Sequence, residues 1–306
     1  MAKNIILSNI TKRYEDSDVI SDINIEVGEG SIFGFIGLTS SGKSTLAKII
    51  AGLTRPSFGS VMLSDDEFSP YITKNRRRVA FVASPNGLPG QFNINKLGKY
   101  YKRIYPKFNE NLFLGLLNTF SISSKAKISK VGFFNRKKLA IILALAQTPE
   151  IIVMDEPFSK LKTADCDLLK NAILDYKENN PCSIVIFTAN PKYHKDLSDT
   201  IALLERGKIR CLINVSAIQG DYQKIILSPP KDYDPDDFKL EGVLRVDKVE
   251  DKISLIIFKN YNFIIEMLEL NGHQIENEKK LTFSELIWAQ AKLEIEKEKG
   301  SLFNNE

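Results

Sequence analysis

Cysteine is scarce in this sequence: Cys166, Cys182 and Cys211 are the only three in 306 residues. An odd set without paired spacing supports neither a disulfide framework nor a zinc site, and it fits a reducing compartment. Long apolar runs are missing too. Charged residues interrupt every hydrophobic stretch before it reaches the roughly 20 residues that a membrane-spanning helix needs. The opening MAKNIILSNITKRY has no long apolar core or small-residue cleavage site, so no signal peptide is expected. Neither sign of charge dominates: 42 Lys and Arg stand against 38 Asp and Glu, a net charge of +4. That balance is too even for a surface built around nucleic-acid phosphates, and no nucleic-acid partner is expected. There is no internal repeat and no low-complexity tract. What remains, 43% hydrophobic and 26% charged residues, is the composition of a globular protein long enough for one large domain and a smaller one.

The pattern along the chain predicts an α/β fold. Short β-rich runs at residues 5–10 and 19–27 precede a third at 31–36, which leads straight into a glycine-containing loop. Residues 43–53 then place Leu46, Ile49, Ile50 and Leu53 at helical spacing, with Gly52 and Pro56 near the end. Between residues 94 and 145 the period is helical. Continuous apolar runs return at 151–154 and 183–187, separated by a helix near 164–177, which is the βαβ logic of a buried parallel sheet. The proline- and aspartate-containing stretch 228–238 predicts a connector, with a domain boundary near 214–221. Beyond it, strands are expected at 242–249 and 252–258 and helices at 261–270 and 282–297, the last opened by a Thr282/Glu285 capping pair. The expected division is a large domain at 1–213, with a helical subdomain at about 85–148, and a small α+β accessory domain at 214–306.

Two motifs carry chemistry. Gly37, Leu38, Thr39, Ser40, Ser41, Gly42, Lys43, Ser44 and Thr45 match GxxxxGK[ST], the P-loop, in which backbone N–H groups close on phosphate at a helix N-terminus. The glycines permit tight turns, Lys43 supplies a point charge for the β and γ phosphates of ATP, and the Ser44 hydroxyl can ligate Mg²⁺. Downstream, Ile151-Ile-Val-Met154 runs into Asp155-Glu156-Pro157, which puts two acids at the C-terminal edge of a strand, expected beside the P-loop. Asp155 is the candidate to hold Mg²⁺ through water, and Glu156 the candidate catalytic group that polarises the attacking water.

Taken together with the intervening helical stretch and a hairpin-like ERGKI ending at Ile209, these residues resemble the ATPases of ABC transporters over about residues 1–212. The resemblance implies a P-loop NTPase core with a helical subdomain, and an ATP-binding subunit that is cytoplasmic and peripheral on the inner face of the cell membrane. Separate membrane permease subunits and a second ATP-binding subunit, in a homo- or heterodimer, are the implied partners. Tyr14 aligns with the family's adenine-stacking aromatic residue. The Tyr105-Pro106-Lys107-Phe108 segment and the apolar helix after it resemble the subgroup that serves exporters.

Departures from the family are equally specific. Where the family carries LSGGQ, this chain has Val131-Gly132-Phe133-Phe134-Asn135. Ser84 occupies the Q-loop glutamine position and is a further metal candidate. Lys162 replaces the D-loop aspartate, and Ala189 stands at the switch histidine. Ala189 has no side-chain donor for a γ-phosphate. The resemblance therefore implies an ATPase of slow or partner-dependent turnover, or else a pseudo-ATPase with a structural or regulatory role. His194, beyond Pro191, is expected on a helix surface. The basic runs 75–78 and 136–138 are expected to be solvated faces, and the loop 85–92 is a candidate contact for a membrane subunit. Trp288, Leu286, Ile287 and Leu293 are expected to pack within the small domain.

Overall fold

The computed structural model describes residues 5–63, 66–67, 73–83, 87–218 and 222–303. The chain divides into two units, residues 1–210 and 211–306. The first opens with a hairpin of β1 (Ile5–Tyr14) and β2 (Ser17–Val27), both longer than the apolar runs that announce them. β3 (Ile32–Ile36) and α1 (Lys43–Ile50) bracket the glycine loop. They are followed by β4 (Phe58–Leu63), β5 (Asp66–Glu67), α2 (Thr73–Arg76) and β6 (Val79–Val82). Next come α3 (Ile94–Ile104), α4 (Glu110–Thr119) and α5 (Phe133–Ala146). The α/β pattern resumes with β7 (Ile151–Asp155), α6 (Thr163–Asn179), β8 (Ser183–Thr188), β9 (Thr200–Glu205) and β10 (Lys208–Asn214).

β2-β1-β4-β5 form a small sheet, and β10-β9-β3-β8-β7-β6 a six-stranded one in which β9, β3, β8, β7 and β6 run parallel. Both faces of the larger sheet are covered, which is why its central strands read as unbroken apolar runs. On one face Phe33, Phe35, Val153, Val185 and Phe187 pack with Leu46, Ile49 and Ile50 of α1 and with the β1–β2 hairpin. On the other, Ile32, Ile152, Met154, Ile184 and Ile186 meet Ile141, Ile142, Leu169 and Ile173 of α5 and α6. That cluster continues into α3 and α4 through Leu97, Phe113 and Leu117, so the helical stretch and the sheet share a core.

β7 does not lie next to β3, because β8 intervenes. The two acids reach the loop across one strand. β4, β6 and β9 were not resolved in the sequence, since short runs such as Val79–Val82 carry too few residues to display a period.

The second unit, described by itself, holds β11 (Gln223–Ser228), β12 (Val243–Val249), β13 (Lys252–Ile257), α7 (Tyr261–Leu270), β14 (Gln274–Lys279) and α8 (Phe283–Phe303). Its strands form an antiparallel sheet in the order β12-β13-β11-β14. Ile225, Leu227, Ile253, Leu255 and Ile257 face Ile264 and Leu268 of α7, whereas Leu244 and Ile256 meet Ala289 of α8 with Leu293 beside them. β14 escapes the sequence reading because its QIENEK stretch is almost wholly exposed and shows no alternation. The capping pair is present: Thr282 N–H donates to the Glu285 carboxylate at 2.8 Å, and Glu285 N–H donates to the Thr282 hydroxyl at 3.3 Å. Among the described residues no helix is long and apolar enough to cross a membrane.

Candidate nucleotide site

The loop between β3 and α1 is shaped by left-handed backbone at Ser40 (φ 65°) and Gly42 (φ 101°). At Gly42 a Cβ would lie 2.6 Å from Ile20 Cδ1 and 2.9 Å from the Val19 carbonyl, so the turn and the neighbouring strand both require glycine. The Gly207 N–H, in the β9–β10 turn, donates to the Ser41 carbonyl at 3.0 Å, and the Ser41 N–H donates to the Leu38 carbonyl at 3.2 Å. Leu38, Thr39, Ser40 and Ser44 are exposed, Thr45 is half-buried, and Gly37, Ser41, Gly42 and Lys43 are buried. The Ser41 hydroxyl oxygen is buried without a hydrogen-bond partner. The Lys43 ammonium donates to the Gly37 carbonyl at 2.7 Å and to the Leu38 carbonyl at 2.8 Å. Burial pushes its pKa down, and the charges of Glu156 and Asp155 oppose that shift. The lysine and the two acids therefore share one electrostatic field.

β7 delivers the acids. Asp155 Oδ1 is buried with no hydrogen-bond partner, an expensive state for a carboxylate oxygen unless a ligand supplies the missing contact. Glu156 has left-handed backbone (φ 51°), which turns its carboxylate toward the end of β8. Its Oε1 accepts the Ala189 N–H at 2.8 Å, and its Oε2 accepts the Thr188 hydroxyl at 3.3 Å. No cluster of three or more His, Cys, Asp or Glu able to hold a metal exists among the described residues. Mg²⁺ needs none when it is bound by one carboxylate, a hydroxyl, water and substrate phosphates. The orphaned Asp155 oxygen and the exposed Ser44 hydroxyl fit such an ion.

Tyr14 closes β1 at 47% exposure, with the Lys12 ammonium 4.9 Å from its ring centroid. Ser84 lies outside the described residues, as do residues 85 and 86 of the expected contact loop. In the remainder of that loop, Leu88 and Phe92 pack partly buried against the helical core. Phe133 and Phe134 are the first residues of α5, edge to face with ring centroids 5.7 Å apart, and both are exposed. Gly132 caps that helix without a side-chain hydrogen bond, and Lys162 does the same for α6.

Two surface expectations are overturned. His194 is fully buried: its Nδ1 lies 2.7 Å from the Ser198 hydroxyl, and a Cβ on Gly34 would meet that nitrogen at 2.5 Å. Burial alone pushes its pKa down to about 3, so it is a neutral core residue under the P-loop strand. The 136–138 run is not a solvated face either. Lys137 is 4% exposed, and its ammonium donates to the Glu156 carbonyl at 2.5 Å, the Ser159 carbonyl at 2.9 Å and the Ser159 hydroxyl at 2.7 Å. Burial brings its pKa down to about 8 against the opposing charge of Glu156. Lys138 pairs with Asp165 at 2.9 Å, and in the other basic run Asn75 is buried and Arg78 pairs with Glu150 at 3.1 Å. Lys137 was missed as a site residue, although one signal existed. Residues four and seven positions further along α5, Ile141 and Ala144, are apolar, which places Lys137 on an inward stripe.

A parallel sheet with a phosphate-type loop between β3 and α1, and two acids at the end of a nearby strand, defines a P-loop nucleotide-binding protein. A family model described as ABC transporter matches residues 20–159. An uncharacterized ABC transporter ATP-binding protein of Methanocaldococcus jannaschii is 27% identical over 213 residues, 68% of this chain and 76% of that protein. A probable sulfate/thiosulfate import ATP-binding protein of Chlorella vulgaris is 29% identical over 216 residues, 67% of this chain and 89% of that one. A solved dimeric ATP-binding cassette in a post-hydrolysis state bound to ADP and Pi covers 69% of this chain and 98% of its own, with a TM-score of 0.61 at 22% identity. Over residues 20–159 the chain matches the ABC transporter family model, and the relatives it resembles are ATP-binding proteins of such transporters.

Proposed function

We propose that this subunit binds Mg²⁺–ATP at residues 37–45 and hydrolyses it slowly. It acts on membrane permease subunits from the cytoplasmic face of the cell membrane, together with a second ATP-binding subunit, identical or paralogous. The observation that carries this reading is the grouping of Lys43, the unpartnered Asp155 oxygen and the anchored Glu156 carboxylate around one loop. On binding, Lys43 exchanges its two loop carbonyls for β and γ phosphate oxygens, while backbone N–H groups of the loop and the α1 N-terminus take the remaining oxygens. Tyr14 stacks on the adenine. Ser44 and, through water, Asp155 would hold Mg²⁺, which would supply charge neutralisation at the phosphates. Glu156 orients the attacking water and accepts its proton.

Slowness follows from what the site lacks. Ala189 offers Glu156 a backbone N–H but gives the phosphate no side-chain donor, and loss of one preorganised donor costs about 10²–10³ in rate. Export is the proposed direction, on the Tyr105-Pro106-Lys107-Phe108 segment, although relatives include a protein named as an importer. The test is phosphate release by the full chain, alone and with its partner subunits, in wild type and Glu156→Gln. Slow release that the substitution abolishes while Mg²⁺–ATP still binds supports the reading, and brisk hydrolysis by the isolated chain refutes slow turnover. Phe133, Phe134 and Ala189 favour a second reading, an ATP-binding structural or regulatory subunit. Tight Mg²⁺–ATP binding with no Glu156-dependent release in the assembled complex selects it.

A further inference from the structure

We propose that Lys137, on α5, is a positioning residue for Glu156: its ammonium clamps the turn after β7 and thereby fixes where the Glu156 carboxylate points. The inference rests on reading Glu156 as the group that acts on water.

The geometry is unusually one-sided. An ammonium has three N–H donors, and the three acceptors around Lys137 all belong to the same short turn: the Glu156 carbonyl, the Ser159 carbonyl and the Ser159 hydroxyl. Placing an ammonium at 4% exposure is costly unless its donors are satisfied. The chain satisfies them with backbone and a hydroxyl, without a direct carboxylate partner among the salt bridges of the described residues. A buried charge committed to one turn holds that turn.

The turn is one that needs holding. Glu156 is a non-glycine residue with left-handed backbone at φ 51°, as is Lys160 at φ 63°, and such conformations persist only when their surroundings determine them. The Glu156 N–H is tied to the Phe187 carbonyl at 2.9 Å, and its carboxylate to Ala189 N–H at 2.8 Å. Those anchors lie at the end of β8. The Glu156 carbonyl is held from the opposite side, by Lys137 and by the Ser159 N–H and hydroxyl at 3.3 and 3.1 Å. Without Lys137 the peptide plane between residues 156 and 157 loses its charged donor, and rotation about the Glu156 backbone swings the carboxylate away from its mark. Misplacement of a catalytic group by about 1 Å can cost on the order of 10²-fold in rate. Lys137 also lies one helical turn after Phe133, the exposed aromatic that starts α5, so a push on that helix end reaches Glu156 through a single side chain.

The experiment compares full-length wild type, Lys137→Met, which keeps the volume and removes every donor, and Lys137→Arg, which keeps the charge. Backbone hydrogen exchange at residues 156–160, measured without nucleotide, is the deciding readout. We expect exchange there to rise about tenfold in Lys137→Met, with protection elsewhere unchanged, and to return toward wild type in Lys137→Arg. In turnover, Lys137→Met should lower kcat about 10- to 100-fold with the KM for ATP within about twofold. Unchanged exchange in Lys137→Met overturns the proposal whatever the turnover. So does loosened exchange accompanied by an unchanged, Glu156-dependent kcat. If wild type shows no Glu156-dependent turnover, the hydrolysis reading fails separately, and the exchange comparison still decides whether Lys137 fixes the turn. Should Lys137→Met fail to fold, Lys137→Gln, which retains a neutral donor, is measured in the same way, with unaltered exchange again overturning the inference.

Discussion

The backbone N–H of Ala189 donates to the Glu156 carboxylate at 2.8 Å, so Ala189 touches the catalytic candidate through its main chain. A main-chain contact of this kind needs only the backbone N–H, which every residue but proline carries. On the proposed reading, the alanine removes a side-chain donor from the site and leaves the anchor of the Glu156 carboxylate in place.

Ala189→His should restore a side-chain donor while keeping that anchor. Positioned acid–base groups contribute about 10²–10⁴-fold, and with the altered residues 131–135 still in place a rise in kcat of about tenfold is expected. Phosphate release at saturating ATP checks it, and the gain should vanish in the double variant with Glu156→Gln.

Lys43→Ala should cripple nucleotide binding. Charged hydrogen bonds contribute about 1.5–3 kcal/mol each, so the Kd for Mg²⁺–ATP should rise at least tenfold. Titration calorimetry measures this directly. A second check is the melting temperature: the rise produced by ATP in wild type should be largely absent in the variant.

His194 sets a pH dependence of stability. Its folded pKa of about 3 lies below the ordinary value of 6.5, so the unfolded chain binds more protons between those limits. Its contribution is complete above pH 6.5 and is lost as pH falls toward about 3, at up to about 1.4 kcal/mol per pH unit. Denaturant unfolding at pH 7, 6 and 5 should show a steeper loss in wild type than in His194→Gln. Parallel slopes would exclude a buried neutral imidazole.

Phe113 joins the helical stretch to the sheet core at 2% exposure, with Gly98 giving way to its ring. Phe113→Ala should cost about 3–5 kcal/mol. Gly98→Ala, whose Cβ would stand 2.6 Å from the Phe113 ring, should also destabilise, by about 1–3 kcal/mol. Chemical denaturation of each variant checks the pair.

The P-loop, the acids at 155 and 156 and the βαβ order were legible before any coordinates, because each is a contiguous stretch whose function is written in local spacing. Residues 37–45 bring their own glycines, lysine and helix start, and a strand buried on both faces must be apolar throughout. The capping pair at Thr282 and Glu285 was readable for the same reason. Tertiary structure decided the rest. Whether β8 separates β3 from β7 depends on sheet order, which no local period encodes. His194 looked like a surface residue because nothing beside it in sequence reveals that Gly34, in a strand far back along the chain, leaves room for its ring. Lys137 and Glu156 are 19 positions apart, and a lysine in a basic run reads as solvated until α5 is packed against the turn after β7. Burial is a property of what surrounds a side chain, and that is settled only when distant elements meet.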